Sequence, residues 1–176
     1  MGLLDFIEEA AELAVSLKWI ENLEESMAAS ARTLLLPDFF RVAVLVADAD
    51  GSFKVEKSDA ILALSAVAMH GSGALGWFAA GDAQTPDAIE RRESDLADMH
   101  VVLNKMRPDA SVERLGAPVF LSMMASLSET PILEDTINAL YRFAEVVAKS
   151  DGPITTSEET VLRQIWEKLH QEPSEE

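Results

Sequence analysis

The chain carries the same arrangement twice, and this limits its fold more than any other feature. An apolar helical run, an Asp-Gly step, one residue, an apolar anchor and a polar helix start surround Asp50-Gly51. The same parts surround Asp151-Gly152, at an offset of 101 residues. At that offset Phe40 meets Tyr141, Val42 meets Phe143, Ala43 meets Ala144, and Val46-Ala47 meets Val147-Ala148. Phe53 then meets Ile154, Ile61 meets Leu162, and Leu64 meets Ile165. Two copies with different material between them make a duplicated helix-turn-helix rather than a solenoid.

The rest of the sequence reads as helices around this unit. From Leu3 to Leu36, apolar residues such as Leu4, Ile7, Ala11, Ala14, Leu17, Ile20 and Leu23 recur at helical spacing. This predicts one long helix, or two broken near Ser26–Ser30. Pro37 is then expected to open the next helix, which Gly51 ends. Valines in that run also suit a buried strand, but Phe39, Val42, Ala43, Val46 and Ala47 follow the 3.6-residue period. A helix is predicted from about Val55 to His70, followed by a glycine-rich loop through Gly81. Further helices are predicted from Thr85-Pro86 to Pro108, over Ser111–Leu127 with Pro118 kinking or splitting it, and from Thr130-Pro131 to Gly152. The last runs from Thr155 or Thr156 to near His170, with a capping box of Thr155 and Glu158 or of Thr156 and Glu159. The fold class is therefore all-α, a compact bundle of seven or eight helices. One domain is expected over residues 1–170, with "QEPSEE" (171–176) as a solvated tail or the start of a linker.

Two readings of the repeated turn stay open. Glycine reaches φ > 0 and ends a helix, the apolar residue two positions later returns to the core, and the aspartate before glycine bonds nearby backbone N–H groups. That explains Asp50 and Asp151 structurally. The second reading adds the remaining acids as a divalent-cation site: Asp48, Asp50, Glu56 and Asp59 at the first turn, Asp151, Glu158 and Glu159 at the second. A hard cation such as calcium, magnesium or manganese takes several oxygens from one compact loop. The spacing is not that of an EF-hand, whose sixth position is glycine; counted from Asp48, that position is Phe53. A shallow site of this kind is expected to bind at about 10⁻⁴ M or weaker. Pro153 removes a backbone donor and Lys149 stands where the first copy has Asp48, so the first turn is the better cation candidate.

Charge excludes several function classes. Fourteen Lys plus Arg stand against 31 Asp plus Glu, a net charge of −17. Nucleic-acid binding is disfavoured because a phosphate backbone would be repelled. An anionic membrane surface is disfavoured for the same reason, and no uncharged run reaches spanning length, so direct membrane insertion is not expected. Basic protein surfaces and cations are the natural counterparts of such a charge. The chain has no cysteine, which removes disulfides and thiolate chemistry. The N-terminus lacks a basic n-region. Together these features lead to the expectation of a cytoplasmic protein.

The doubled "A-x-A/S-D-G-x-apolar" pattern followed by acids that open a helix resembles the TerB-like tellurite-resistance family. It is also similar to the N-terminal domain of membrane-anchored DjlA-type co-chaperones. "VAKSDGPITTSEETVLRQIWEKL" is the closer match and "VADADGSFKVEKSDAILAL" the looser. The resemblance implies an all-helical bundle with pseudo-two-fold repeats and an acidic patch proposed to bind divalent metal. It also implies a generally non-enzymatic role in stress response, tellurite resistance or phage defence. The motif acids it points to are Asp50, Asp151, Glu158 and, less directly, Glu56 and Glu159. Lys57 departs from the pattern, standing where a second acid often follows Glu56. TerB-like domains also occur fused to other modules, so a regulatory or partner-binding N-terminal domain of a larger protein such as an ATPase is the alternative.

No catalytic constellation stands out. His70, His100 and His170 are far apart, the glycines lack a phosphate-loop pattern, and no G-x-S-x-G elbow occurs. The chain is therefore expected to be non-enzymatic, with a protein partner. Trp77 and Phe78, in the glycine-rich stretch, are the candidate partner-binding residues.

Overall fold

A computed structural model of the protein describes residues 1–74, 94, 97–98, 100–105, 107, 110–115 and 132–170. Among these residues the chain is all-helical, without a strand. The helices with described ends are α1 (Leu3–Ser16), α2 (Lys18–Glu21), α3 (Glu25–Ala47), α4 (Val55–His70), α5 (Ile132–Lys149) and α6 (Thr156–Leu169). Residues 100–105 are also helical, and 3-10 turns occupy Gly71–Ala74 and Val112–Arg114. The predicted starts at Thr85-Pro86 and Thr130-Pro131, the breaks at Pro108 and Pro118, and the tail 171–176 lie outside the described residues. So do Trp77 and Phe78.

The two copies of the repeat are the hairpins α3–α4 and α5–α6. They pack reciprocally: α3 lies on α5, while α3 meets α6 and α4 meets α5. This is the contact pattern of an approximate two-fold axis. Phe39 and Phe143 meet between the copies with ring centroids 5.0 Å apart. The valine run is helical, as its period predicts, and buries Phe39, Phe40, Val42, Val44 and Val46. From Ala60 onward, α4 is buried on nearly every side, as expected of a central helix whose sequence shows little polar face. Its one buried hydroxyl, that of Ser65, donates to the carbonyl of Ile61 at 2.7 Å. α1 packs against α5 and α4, and Arg142 holds it to α5 by pairing with Glu9 at 3.1 Å and with Glu12.

Two predicted boundaries differ from the structure. The N-terminal run breaks after Ser16 and again over 22–24, not at Ser26–Ser30, which lies within α3. The hydroxyls there do not interrupt the helix, because Ser30 donates to the Ser26 carbonyl and Thr33 to the Ala29 carbonyl, each at 2.9 Å. Pro37 does not open a helix but sits inside α3. It lacks the N–H that would bond the Thr33 carbonyl. Buried Leu35, Phe39 and Phe40 on both sides of it hold the helix on the core.

Candidate functional site

The two Asp-Gly turns lie together, and their charged residues meet across the copies. α6 begins with Thr155 as its N-cap and Glu158 at the third helical position. Glu158 Oε2 accepts from the Thr155 N–H at 2.7 Å and from its hydroxyl at 2.8 Å. In return the Glu158 N–H donates to the Thr155 hydroxyl oxygen at 3.3 Å. The first of the two predicted capping boxes is therefore the one that forms.

The corresponding positions at the start of α4 are Lys54 and Lys57, again offset by 101. Lys54 is the N-cap residue and makes no side-chain cap. Lys57 is 0% exposed, and its ammonium bonds Glu158 Oε1, itself on a residue 1% exposed. The same ammonium lies 3.8 Å from Asp151 Oδ2, which takes Lys54 at 2.7 Å. Two lysines of the first copy and two acids of the second thus form one cluster, most of it withdrawn from solvent.

The remaining carboxylates have different surroundings. Asp50 is exposed, and its Oδ1 accepts from the Ser52 hydroxyl at 2.8 Å and the Ser52 N–H at 2.9 Å. Those bonds hold its carboxyl below the ordinary 3.8. Asp48 takes a forked guanidinium, Arg107 Nη2 at 2.8 Å and Nε at 3.1 Å. The same guanidinium stands 4.3 Å from the Phe53 ring centroid. Glu56 and Asp59 are exposed and line a groove of about 340 Å³ with Phe6, Ala60, Ala63 and Ser150. Glu159 is exposed on α6 and borders a second groove, between α5 and α6.

The seven sequence-chosen acids are therefore not gathered around one point. Asp151 and Glu158 face lysines, Asp48 faces an arginine, Asp50 closes its own turn, and Glu56, Asp59 and Glu159 face outward. Among the described residues, no three acidic or histidine side chains are grouped to hold a metal ion. Sequence reasoning gave no site role to the cations Lys54, Lys57 and Arg107. The signal for Lys57 was present, because the offset that defines the repeat sets it opposite Glu158. Tyr141 and Trp166, which line the second groove, were also missed. No protein-family model, curated protein or solved structure matches the chain.

Proposed function

We propose that the chain is a non-catalytic, TerB-like interaction module of the bacterial stress response, acting in the cytoplasm. It would present an acidic helical surface to a protein partner. The observation that carries this reading is the direction in which the charges of the repeat point. The most reactive-looking group, the Lys57 amine, is sealed from solvent against Glu158. A substrate has no route to it, so it serves as a structural charge. The acids left facing solvent around the turns are Asp50, Glu56, Asp59 and Glu159. With a net charge of −17, such a surface steers basic partners toward it.

A divalent cation is a secondary ligand in this reading. Asp50, Glu56 and Asp59 are the acids free to take it, in a shallow setting that supports affinity of about 10⁻⁴ M or weaker. Two measurements test the proposal. In a pull-down, wild-type protein is expected to capture a partner in a salt-sensitive way, and Asp50→Asn/Glu56→Gln/Asp59→Asn to lose most of that capture. Equal capture by both removes the acidic face around the first turn from the proposal. Separately, calcium, magnesium and manganese are titrated while amide resonances of Asp50, Glu56 and Asp59 are followed. If none moves at millimolar metal, the cation role falls.

A further inference from the structure

The duplication allows the outer face of each hairpin to be compared at equivalent positions. In the first copy this face is closed: Phe40, Val44, Ile61 and Ser65 are each 1% exposed or less. At its rim, Arg107 from the segment connecting the copies stands over Phe53 and pairs with Asp48. In the second copy the equivalent residues are Tyr141, Glu145, Leu162, Trp166 and, for Phe53, Ile154. They line an open groove of about 500 Å³. Trp166 remains 40% exposed there, with Tyr141 edge-on at 4.9 Å and the His170 ring tilted against it at 3.9 Å. Leu162 is as buried as Ile61, but Tyr141, Glu145 and Trp166 are left partly or largely open where Phe40, Val44 and Ser65 are closed.

The chemistry of the rim indicates what covers it. Glu145, Glu159 and Arg163 border the groove. Glu145 already shares its charge with Lys149 at 2.9 Å, so Glu159 is the stronger determinant. Burial, and after it the nearby Glu145 charge, raise the Tyr141 hydroxyl above its ordinary 10.0, with Lys149 acting against them. A second copy would bring another −17 of charge against the first. The chain's own residues 171–176, QEPSEE, contain no lysine or arginine. With a net charge of −17 on the chain and Glu159 exposed at the rim, the better match is a basic occupant.

We propose that the α5–α6 groove is a docking surface for an amphipathic helical segment of a partner protein. That segment's apolar side chains pack on Tyr141, Ile154, Leu162 and Trp166, and its arginine pairs with Glu159. This rests on the reading of the chain as an interaction module and names the surface and the partner chemistry. An exposed tryptophan beside a second aromatic ring suits such an anchor, since aromatic residues and arginine dominate interface energetics.

The test titrates the full chain with a synthetic amphipathic helical peptide bearing leucines on one face and arginines beside them, and with the same peptide carrying glutamate for arginine. The arginine peptide is expected to shift the amide resonances of Tyr141, Ile154, Leu162 and Trp166, and the glutamate peptide to leave them in place. Trp166→Ala and Glu159→Lys are each expected to weaken binding tenfold or more. Arg163→Ala, which removes the cation among the lining residues, is expected to tighten it. Glu159 is exposed, so Glu159→Lys keeps the test valid if Trp166→Ala does not fold. Groove resonances that stay unmoved at millimolar arginine peptide overturn the proposal, as do shifts spread over the acidic surface and unchanged by Glu159→Lys. Self-association that shifts the groove resonances overturns it in favour of a second copy. Groove shifts on deleting residues 171–176 overturn it in favour of the tail. Loss of partner capture on neutralising Asp50, Glu56 and Asp59, with the groove silent, would leave the interaction module standing and remove only the groove.

Discussion

The two Asp-Gly turns are built to one pattern, and a single position makes them behave differently. After Gly51 comes Ser52, whose N–H and hydroxyl both donate to Asp50. That turn satisfies its own aspartate. After Gly152 comes Pro153, which has no N–H to give. Asp151 turns instead to Lys54 and Lys57 of the other copy. The glycines differ in step: φ is 76° at Gly51 and 149° at Gly152. Proline disfavours helical values at the residue before it, which accounts for the more extended second glycine. The helices that follow are complementary too. Lysines at the start of α4 oppose its dipole and are tolerated because acids at the start of α6 meet them. The first turn is self-contained, and the second is completed by its counterpart.

The largest expected effect breaks this dependence at its buried end. Lys57→Met or Glu158→Gln leaves one charge or its partner uncompensated in the interior and is expected to cost about 3–5 kcal/mol. In a domain of this size that lowers the melting temperature by roughly 6–20 °C. Lys57→Met/Glu158→Leu is expected to recover much of the loss, so a thermal or urea double-mutant cycle reads the coupling directly. Single variants that melt like wild type would mean that this pair does not join the copies. Next in size, Pro153→Ser gives the second turn the chemistry of the first. It is expected to lower stability by about 0.4–1 kcal/mol through the freer unfolded chain, and to remove the coupling between Lys54 and Asp151 in a second cycle. Coupling that survives would show that proline is not what turns Asp151 outward from its own loop.

The smallest effect is alkaline. Its hydrogen bond to Asp151 raises Lys54 above its ordinary 10.5, and burial raises Tyr141 above 10.0. Each group contributes stability that is fully present below its ordinary value and is lost as pH rises through the higher folded value. Stability is therefore expected to fall above about pH 10, and Lys54→Met to make that slope shallower. Lys54 is half exposed, so solvent screening keeps this the smallest of the three effects. An unchanged slope would detach Lys54 from the second turn.

Features that depend on local chemistry could be read from the sequence. Helical periodicity gave α4 its limits at Val55 and His70, and the two alternative capping boxes, Thr155–Glu158 and Thr156–Glu159, placed the start of α6 to within one residue. The offset of the repeat paired the hairpins before any packing was known. Pro37 was misread because a local rule about helix starts gave way to burial on both sides of it. Lys57 was noticed only as a departure from an acidic pattern. A lysine near a helix start normally reads as surface, and only the packing of α4 against the other copy shows that it is buried. The candidate acids illustrate the same limit. Spacing along the chain set seven carboxylates near two turns, whereas the directions of Asp48, Asp151 and Glu158 depend on cations 50 or more residues away, such as Arg107 for Asp48 and Lys57 for Glu158.

The position of the Lys57–Glu158 contact has a consequence for how such a fold can be made. The two residues occupy the same place in their respective copies. In a symmetric pair of identical chains, a residue on the axis faces its own twin, so lysine would meet lysine and glutamate would meet glutamate. Either arrangement would bury two like charges. Joining the halves in one chain lifts that restriction, since each half is encoded separately and can take the opposite sign. The buried charge pair is thus a feature that the linked duplicate can hold and a homodimer of either half cannot.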